Sequence, residues 1–145
     1  RNTPREDAQR ALAEAGIVAA PSALAHDVLV LDAAAPASEL ERLANHRWHL
    51  HAETAAFPVD ILDPQAGQRV VELCCGRGNK TLQIVSRMRD GGTVLAVDDD
   101  DRKIVQTAKR LEAAAIGSVA LVTADAHPRP GENDSAHVQA TGGNP

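Results

Sequence analysis

From residue 69 onward the chain alternates between short β-rich apolar runs and helical periods, and this alternation constrains the fold more than any other feature. Residues 69–74 read as a strand, and 80–88 as a helix with Leu82, Ile84 and Val85 available for packing. Residues 93–97 read as a second strand. Residues 99–115 read as a second helix, with Ile104, Val105, Ala108 and Leu111 at helical spacing, and 119–123 as a third strand. Strand–helix–strand–helix–strand with short connections predicts an α/β fold built on a parallel, Rossmann-type half-sheet. Three strands do not complete a doubly wound sheet. Apolar surface is therefore expected to stay bare along Val94, Leu95, Val97 and Leu121, and with it marginal stability and self-association.

Upstream, residues 1–45 read as a small α+β subdomain. Thr3-Pro4-Arg5-Glu6 suggests a capping box with Pro4 at the first helical position, opening a helix that buries Ala8, Ala11, Leu12 and Ala15 and stops at Gly16. Residues 17–20 and 28–31 read as strands with Pro21 between them, and Ser38-x-x-Glu41 as the start of another helix. Residues 46–68 are expected to connect the two parts through a helix from Glu53 towards Leu62. Pro58 falls in its first turn, and Phe57, Ile61 and Leu62 on its inner face. The cofactor-type half-domain then spans 69–126. Residues 127–145, rich in proline and glycine, are expected to form a loop or disordered tail outside the sheet.

Composition narrows the class. The chain contains 27 alanines but only two aromatic residues, Trp48 and Phe57, so any core is aliphatic and thin. No apolar run approaches the roughly 20 residues of a membrane span. Fifteen Lys and Arg against 20 Asp and Glu leave a net charge of −5, which excludes a basic nucleic-acid arm. The two cysteines, Cys74 and Cys75, are adjacent, which argues against a disulfide scaffold. With no signal segment at the start, a reduced, cytoplasmic protein is expected, and the opening Arg1 suggests a fragment.

The chemistry concentrates in Val70-Val71-Glu72-Leu73-Cys74-Cys75-Gly76-Arg77-Gly78-Asn79-Lys80-Thr81. An apolar strand with an acid near its end runs through a small-residue loop into a helix. Gly76 and Gly78 let the backbone approach a ligand, and the first free amides of the helix point at its polar end. Asp98, ending the next strand, is placed to accept hydrogen bonds from ribose hydroxyls, and Asp125 follows the third strand on the same sheet edge. A dinucleotide fingerprint would want glycine where Thr81 stands, and a phosphate-binding P-loop would want glycine at Cys74 and Asn79. The acidic-x-Gly-x-Gly-x-Gly pattern of S-adenosylmethionine (SAM) sites fits better, through Glu72, Cys74, Gly76 and Gly78, with Lys80 within reach of the methionyl carboxylate. A tight turn with no ligand is the alternative.

The stretch Asp63-Pro64-Gln65-Ala66-Gly67-x-Arg69-Val70-Val71-Glu72-Leu73-Cys74, followed by Gly78-x-Lys80-Thr81, resembles the Sun/Nop RNA cytosine-5 methyltransferases. That family typically reads Asp-Pro-Gln-Pro-Gly-x-x-Val-Leu-Asp-Leu-Cys-Ala-Ala-Pro-Gly-Gly-Lys-Thr here. Arg1-Asn2-Thr3 is similar to the start of its RNA-binding N-terminal subdomain, and Glu53 falls at the Glu of its Gln-Asp-Glu-Ala-Ser segment. The resemblance continues through Val97-Asp98 and Thr123-Ala124-Asp125-Ala126. It implies a Rossmann-like class I methyltransferase fold with SAM as cofactor and RNA, notably ribosomal RNA, as partner. Cys74, Cys75, Gly76, Arg77, Gly78, Asn79 and Lys80 would hold the methionine end, Asp98 the ribose, and Asp125 would lie near the adenine. The chain departs from the pattern in having Arg77 for the usual proline, Asn79 for the second glycine of a pair, and Glu72 for the aspartate. The family's two catalytic cysteines, each after a proline, have no counterpart, so no catalytic residue is expected within these 145 residues. A catalytically silent SAM-binding or RNA-interaction module is the competing expectation.

Three smaller features have plain readings beside functional ones. His46-x-x-His49-x-His51 has metal-like spacing, but no acidic or thiol partner follows, so surface histidines beside Trp48 are expected. The acidic run Asp98 to Asp101 reads as one ribose ligand followed by a helix cap and first-turn carboxylates, without a metal. Arg87, Arg89, Arg102, Lys103, Lys109 and Arg110 read as a solvated basic face that could also meet RNA phosphates.

Overall fold

The computed structural model describes residues 3–45, 47–89, 91–124 and the backbone of 137–140. The chain divides into two compact units, Arg1–Asp63 and Pro64–Pro145.

In the first unit, α1 (Arg5–Glu14) is followed by the antiparallel pair β1 (Ala19–Pro21) and β2 (Leu29–Leu31), then α2 (Ala37–Ala44) and α3 (Glu53–Leu62). Neither α1 nor α2 uses the expected side-chain cap. Pro4 and Pro36 occupy the cap positions instead, and their carbonyls accept the first amides: Asp7 and Ala8 for one, Glu39 and Leu40 for the other. A proline ahead of the first turn has its φ already set and leaves its carbonyl free to begin the ladder. Leu12, Ala19 and Leu40 form one small core, with Ile17, Leu29, Leu31, Leu43 and Trp48 against it. Pro21 lies within β1, paired with Leu29, rather than between the strands.

A second cluster joins Ala25 and Val28 to Ala56 of α3, and this helix lies within the first unit. Its inner face is Ala56 and Val59, whereas Phe57, Ile61 and Leu62 are exposed, the reverse of expectation. Small residues are what allow α3 to approach Ala25 closely. Pro58 sits inside the helix, past the first turn. The Ser22 hydroxyl donates to Glu53 Oε1 at 2.6 Å, and the His26 amide donates to Asp60, which fixes α3 against the β1–β2 connection.

The second unit follows the alternation: β3 (Arg69–Leu73), α4 (Asn79–Arg87), β4 (Thr93–Asp98), α5 (Asp101–Ala113) and β5 (Val119–Thr123). The strands run parallel in the order β3-β4-β5, with Arg69 opposite Thr93 and Val94 opposite Val119. A fourth strand, β6 (His137–Ala140), pairs antiparallel with β5, so part of the expected tail belongs to the sheet. The proline and glycine content of 127–145 had marked it as a breaker-rich loop, but a four-residue pairing needs only the short stretch free of both.

Side chains alternate across the sheet. One face carries Glu72, Val94, Ala96, Asp98, Val119 and Leu121, all buried. Ile84 and Val85 of α4, Met88 just after it, and Ile104, Thr107 and Leu111 of α5 complete that layer. Val71, Leu73 and Leu95 point the other way and are exposed. Among the described residues an apolar surface therefore stays bare, but its membership differs in part from the expected one: Leu95 is exposed as expected, Val94 and Leu121 lie under the helices, and Val71 and Leu73 of β3 join Leu95 instead. No described helix is long and apolar enough to cross a membrane.

Candidate functional site

The site is assembled where β3 turns into α4. The backbone takes the left-handed conformation at Cys74 (φ 55), Gly76 (φ 60) and Gly78 (φ 75), which folds the loop sharply at the carboxyl end of the strand. The Cys75 amide donates to Val97 O at 2.9 Å, prolonging the β3–β4 ladder into the loop, and the Gly78 amide donates back to Cys75 O at 3.0 Å. The two glycines serve different ends. A Cβ on Gly78 would come within 2.6 Å of Thr107 Cγ2, so Gly78 is required for the loop to lie on α5. A Cβ on Gly76 would meet nothing within 4 Å among the described residues, so none of them crowds that position.

Helix α5 holds the loop from one side. Thr107 Oγ1 donates to Gly76 O at 3.1 Å, and Arg110 Nη1 donates to Arg77 O at 2.5 Å and to Asn79 Oδ1 at 2.7 Å. Asp98 holds it from the strand side, accepting the Gly76 amide on Oδ2 at 2.8 Å. Its Oδ1 accepts the Asp100 amide at 3.1 Å and Lys103 Nζ at 3.3 Å. Burial alone would raise the Asp98 pKa. The Gly76 and Asp100 amides and the Lys103 ammonium together outweigh it, so the carboxyl is held below its ordinary range. Asp100 caps α5 through the Arg102 amide, and Asp101 lies in the first turn, as the reading of the acidic run expected.

Glu72 is the opposite case. It is 6% exposed, and desolvation pushes its pKa up against the lowering by the Thr81 hydroxyl, which donates to Oε2 at 2.6 Å, and by Lys80. Its other oxygen, Oε1, is buried and has no hydrogen-bond partner among the described residues. The same holds for Thr123 Oγ1 at the end of β5. Two orphaned polar atoms flank Asp98 at the carboxyl ends of neighbouring strands, where an α/β sheet ordinarily takes its ligand. The Cys75 thiol is buried and pushed up to about 12, first by desolvation and then by the charges of Glu72 and Asp98, so it stays protonated at neutral pH. Cys74 is exposed.

Of the residues expected from sequence, Cys74, Cys75, Gly76, Arg77, Gly78, Asn79, Lys80 and Asp98 converge on this loop. Asp125 lies outside the described residues, as does His46; the His49 and His51 rings are 5.0 Å apart. Sequence reasoning missed Thr107 and Arg110 as partners of the loop, Lys103 as a partner of Asp98, and the buried hydroxyl of Thr123. Thr107 and Arg110 are spaced to share a face of α5, but nothing in their spacing indicates what that face meets.

The parallel half-sheet with a left-handed loop between an acidic strand end and a helix defines a Rossmann-like α/β unit. Residues 59–136 match the family described as 16S rRNA methyltransferase RsmB/F, and the chain belongs to that family. The ribosomal RNA small subunit methyltransferase B of Serratia proteamaculans is 32% identical over 108 residues, which cover 74% of this chain and 25% of that protein. The 25S rRNA (cytosine-C(5))-methyltransferase NSUN5 of Arabidopsis thaliana is 33% identical over 89 residues, 59% of this chain and 14% of that protein. The chain spans about a quarter of the length of the bacterial relatives it matches. The solved structure of a methyltransferase homolog protein from Pyrococcus horikoshii superposes with a TM-score of 0.70 at 20% identity, over 82% of this chain and 39% of that one. At that identity the likeness establishes the fold.

Proposed function

We propose that the loop from Cys74 to Lys80, with Asp98, is the SAM-binding site of an RNA cytosine-5 methyltransferase that acts on ribosomal RNA. The observation that carries this reading is the placement of Asp98. Its carboxyl is held below its ordinary pKa range with help from the Gly76 amide, and no described residue crowds that glycine, so a charged acceptor and an uncrowded stretch of backbone are joined by one hydrogen bond. Those are the features that recognise a ribose beside a chain bearing an ammonium and a carboxylate. Asp98 would take the ribose hydroxyls, Lys80 the methionyl carboxylate, and the unpaired oxygen of Glu72 would favour the ammonium end. Asp125 would lie near the adenine. When bound, SAM supplies an electrophilic methyl group. Family membership and rRNA-methylating relatives support RNA as the substrate, with residues 1–45 as its accessory contact.

Addition to carbon 6 of cytosine needs a thiolate. Cys75 is buried and protonated, and Cys74 belongs to the loop, so the nucleophile would come from outside these 145 residues.

Titration with S-adenosylhomocysteine tests the site. The parent chain is expected to bind it, and Asp98→Ala to weaken binding by about 1–3 kcal/mol, the scale of hydrogen bonds to a charged group. Equal binding by parent and variant would remove Asp98 from the site.

A further inference from the structure

We propose that Arg110 is a positioning residue of the cofactor loop, acting through Asn79; the inference rests on the SAM-site reading above. Asn79 stands at the first residue of α4, where the resemblance has a glycine, and therefore brings a carboxamide to the mouth of the loop. A glycine there would need no support. An asparagine at a helix start is free to turn its side chain towards the neighbouring amides and compete for them. Here Arg110 takes Asn79 Oδ1 at 2.7 Å and, through the same nitrogen, the carbonyl of Arg77 at 2.5 Å. The carboxamide and the loop carbonyl are thus drawn together onto α5, one turn beyond Thr107, which holds the carbonyl of Gly76. Carbonyls 76 and 77 face the helix, while no described residue lies within 4 Å of a Cβ placed on Gly76. Arg110 lies in the last turn of α5, where a cation is also favoured by the helix dipole. The main-chain carbonyl of residue 77 and the Asn79 carboxamide therefore share one tether. The substitution of glycine by asparagine is accommodated by a residue 31 positions away in sequence.

The test is a double-mutant cycle on the whole chain, read by S-adenosylhomocysteine titration. Arg110→Met keeps the aliphatic stem and removes the donors; it is expected to weaken binding about 5-fold, the scale of one hydrogen bond. Arg110→Lys, which keeps a terminal donor, is expected to bind within about 2-fold of the parent. Asn79→Gly in the Arg110→Met background is expected to restore the part of the loss that runs through the carboxamide, leaving only that of the Arg77 carbonyl. A purely structural role for Arg110 would not show that rescue. Asn79→Leu, which keeps the bulk and removes the acceptor, gives an independent reading should Arg110→Met fail to fold, and is expected to lose a similar factor. Parent-like binding by Arg110→Met or by Asn79→Leu, or no rescue by Asn79→Gly, overturns the inference while leaving the SAM site standing. No binding by the parent overturns the site itself, and the inference with it.

Discussion

In β3 the carboxylate lies inside and the aliphatic side chains outside: Glu72 is 6% exposed, while Val71 and Leu73 are 63% and 60% exposed. The two faces of the half-sheet differ accordingly. One is closed by α4 and α5 over Val94, Ala96, Val119 and Leu121, and carries Glu72 and Asp98 at its carboxyl end. The other presents Val71, Leu73 and Leu95 with no layer of described residues over them. Parallel strands are ordinarily buried on both faces, and the near-continuous apolar run of β3 is written for that situation. The contrast teaches that hydrophobicity along a strand reports the number of layers a sheet is built for, whereas a buried acid reports which side and which end hold the chemistry.

Truncation gives the largest expected contrast between the faces. Leu121→Ala, under the helices, should cost about 2–5 kcal/mol of unfolding free energy, whereas Leu73→Ala on the bare face should change it by about 0.5 kcal/mol or less. Urea unfolding of both variants checks this, and similar losses would mean that the outer face is covered in solution. Replacing Val71, Leu73 and Leu95 together by Thr places a strand-favouring β-branched side chain at each position and removes the apolar patch. Light scattering should then show less self-association than the parent, with little change in stability.

The smallest effect concerns the two buried acids, which respond to pH in opposite senses. Asp98 has its folded-state pKa below the ordinary 3.8, so the stability it contributes is present above that value and is lost as pH falls through the folded pKa. Glu72 is raised above its ordinary 4.5, so between that value and its folded pKa the native state holds the extra proton and stability declines as pH rises. Unfolding free energy measured across pH should lose its acid-side rise in Asp98→Asn and flatten just above pH 4.5 in Glu72→Gln. A Glu72→Gln profile identical to the parent would mean that Glu72 titrates alike in the folded and unfolded chain, and that burial does not raise its pKa.

The sheet was the most legible part of the molecule. Val119–Thr123 is the strand the sequence predicts, and β3, β4, α4 and α5 fall within a residue or two of expectation, because periodicity and turn residues agree there. Helix starts in the first unit were less legible. Thr3 and Ser38 offer plausible caps, yet prolines one or two residues away decide the start by backbone geometry. The inner face of α3 was misread because size argues for Phe57 and Ile61, while close packing on Ala25 selects Ala56 and Val59. At the site, glycines and acids are visible in sequence because they act through their own backbone or charge. Thr107 and Arg110 are not, since they matter only through carbonyls some thirty residues away.

The parallel register bears on how the second unit is synthesised. Each strand of the β3-β4-β5 ladder finds its partner roughly two dozen residues downstream, with a single helix in between. Loop closure for the two pairings is therefore similar and modest, and neither has to wait for a distant segment. As the chain leaves the ribosome, β4 can dock on β3 once α4 has emerged, and β5 can dock on β4 once α5 has. The order of translation is also the order of pairing. The cofactor loop, tied to β4 through Asp98 and to α5 through Thr107, takes its final shape only when the second of these helices arrives.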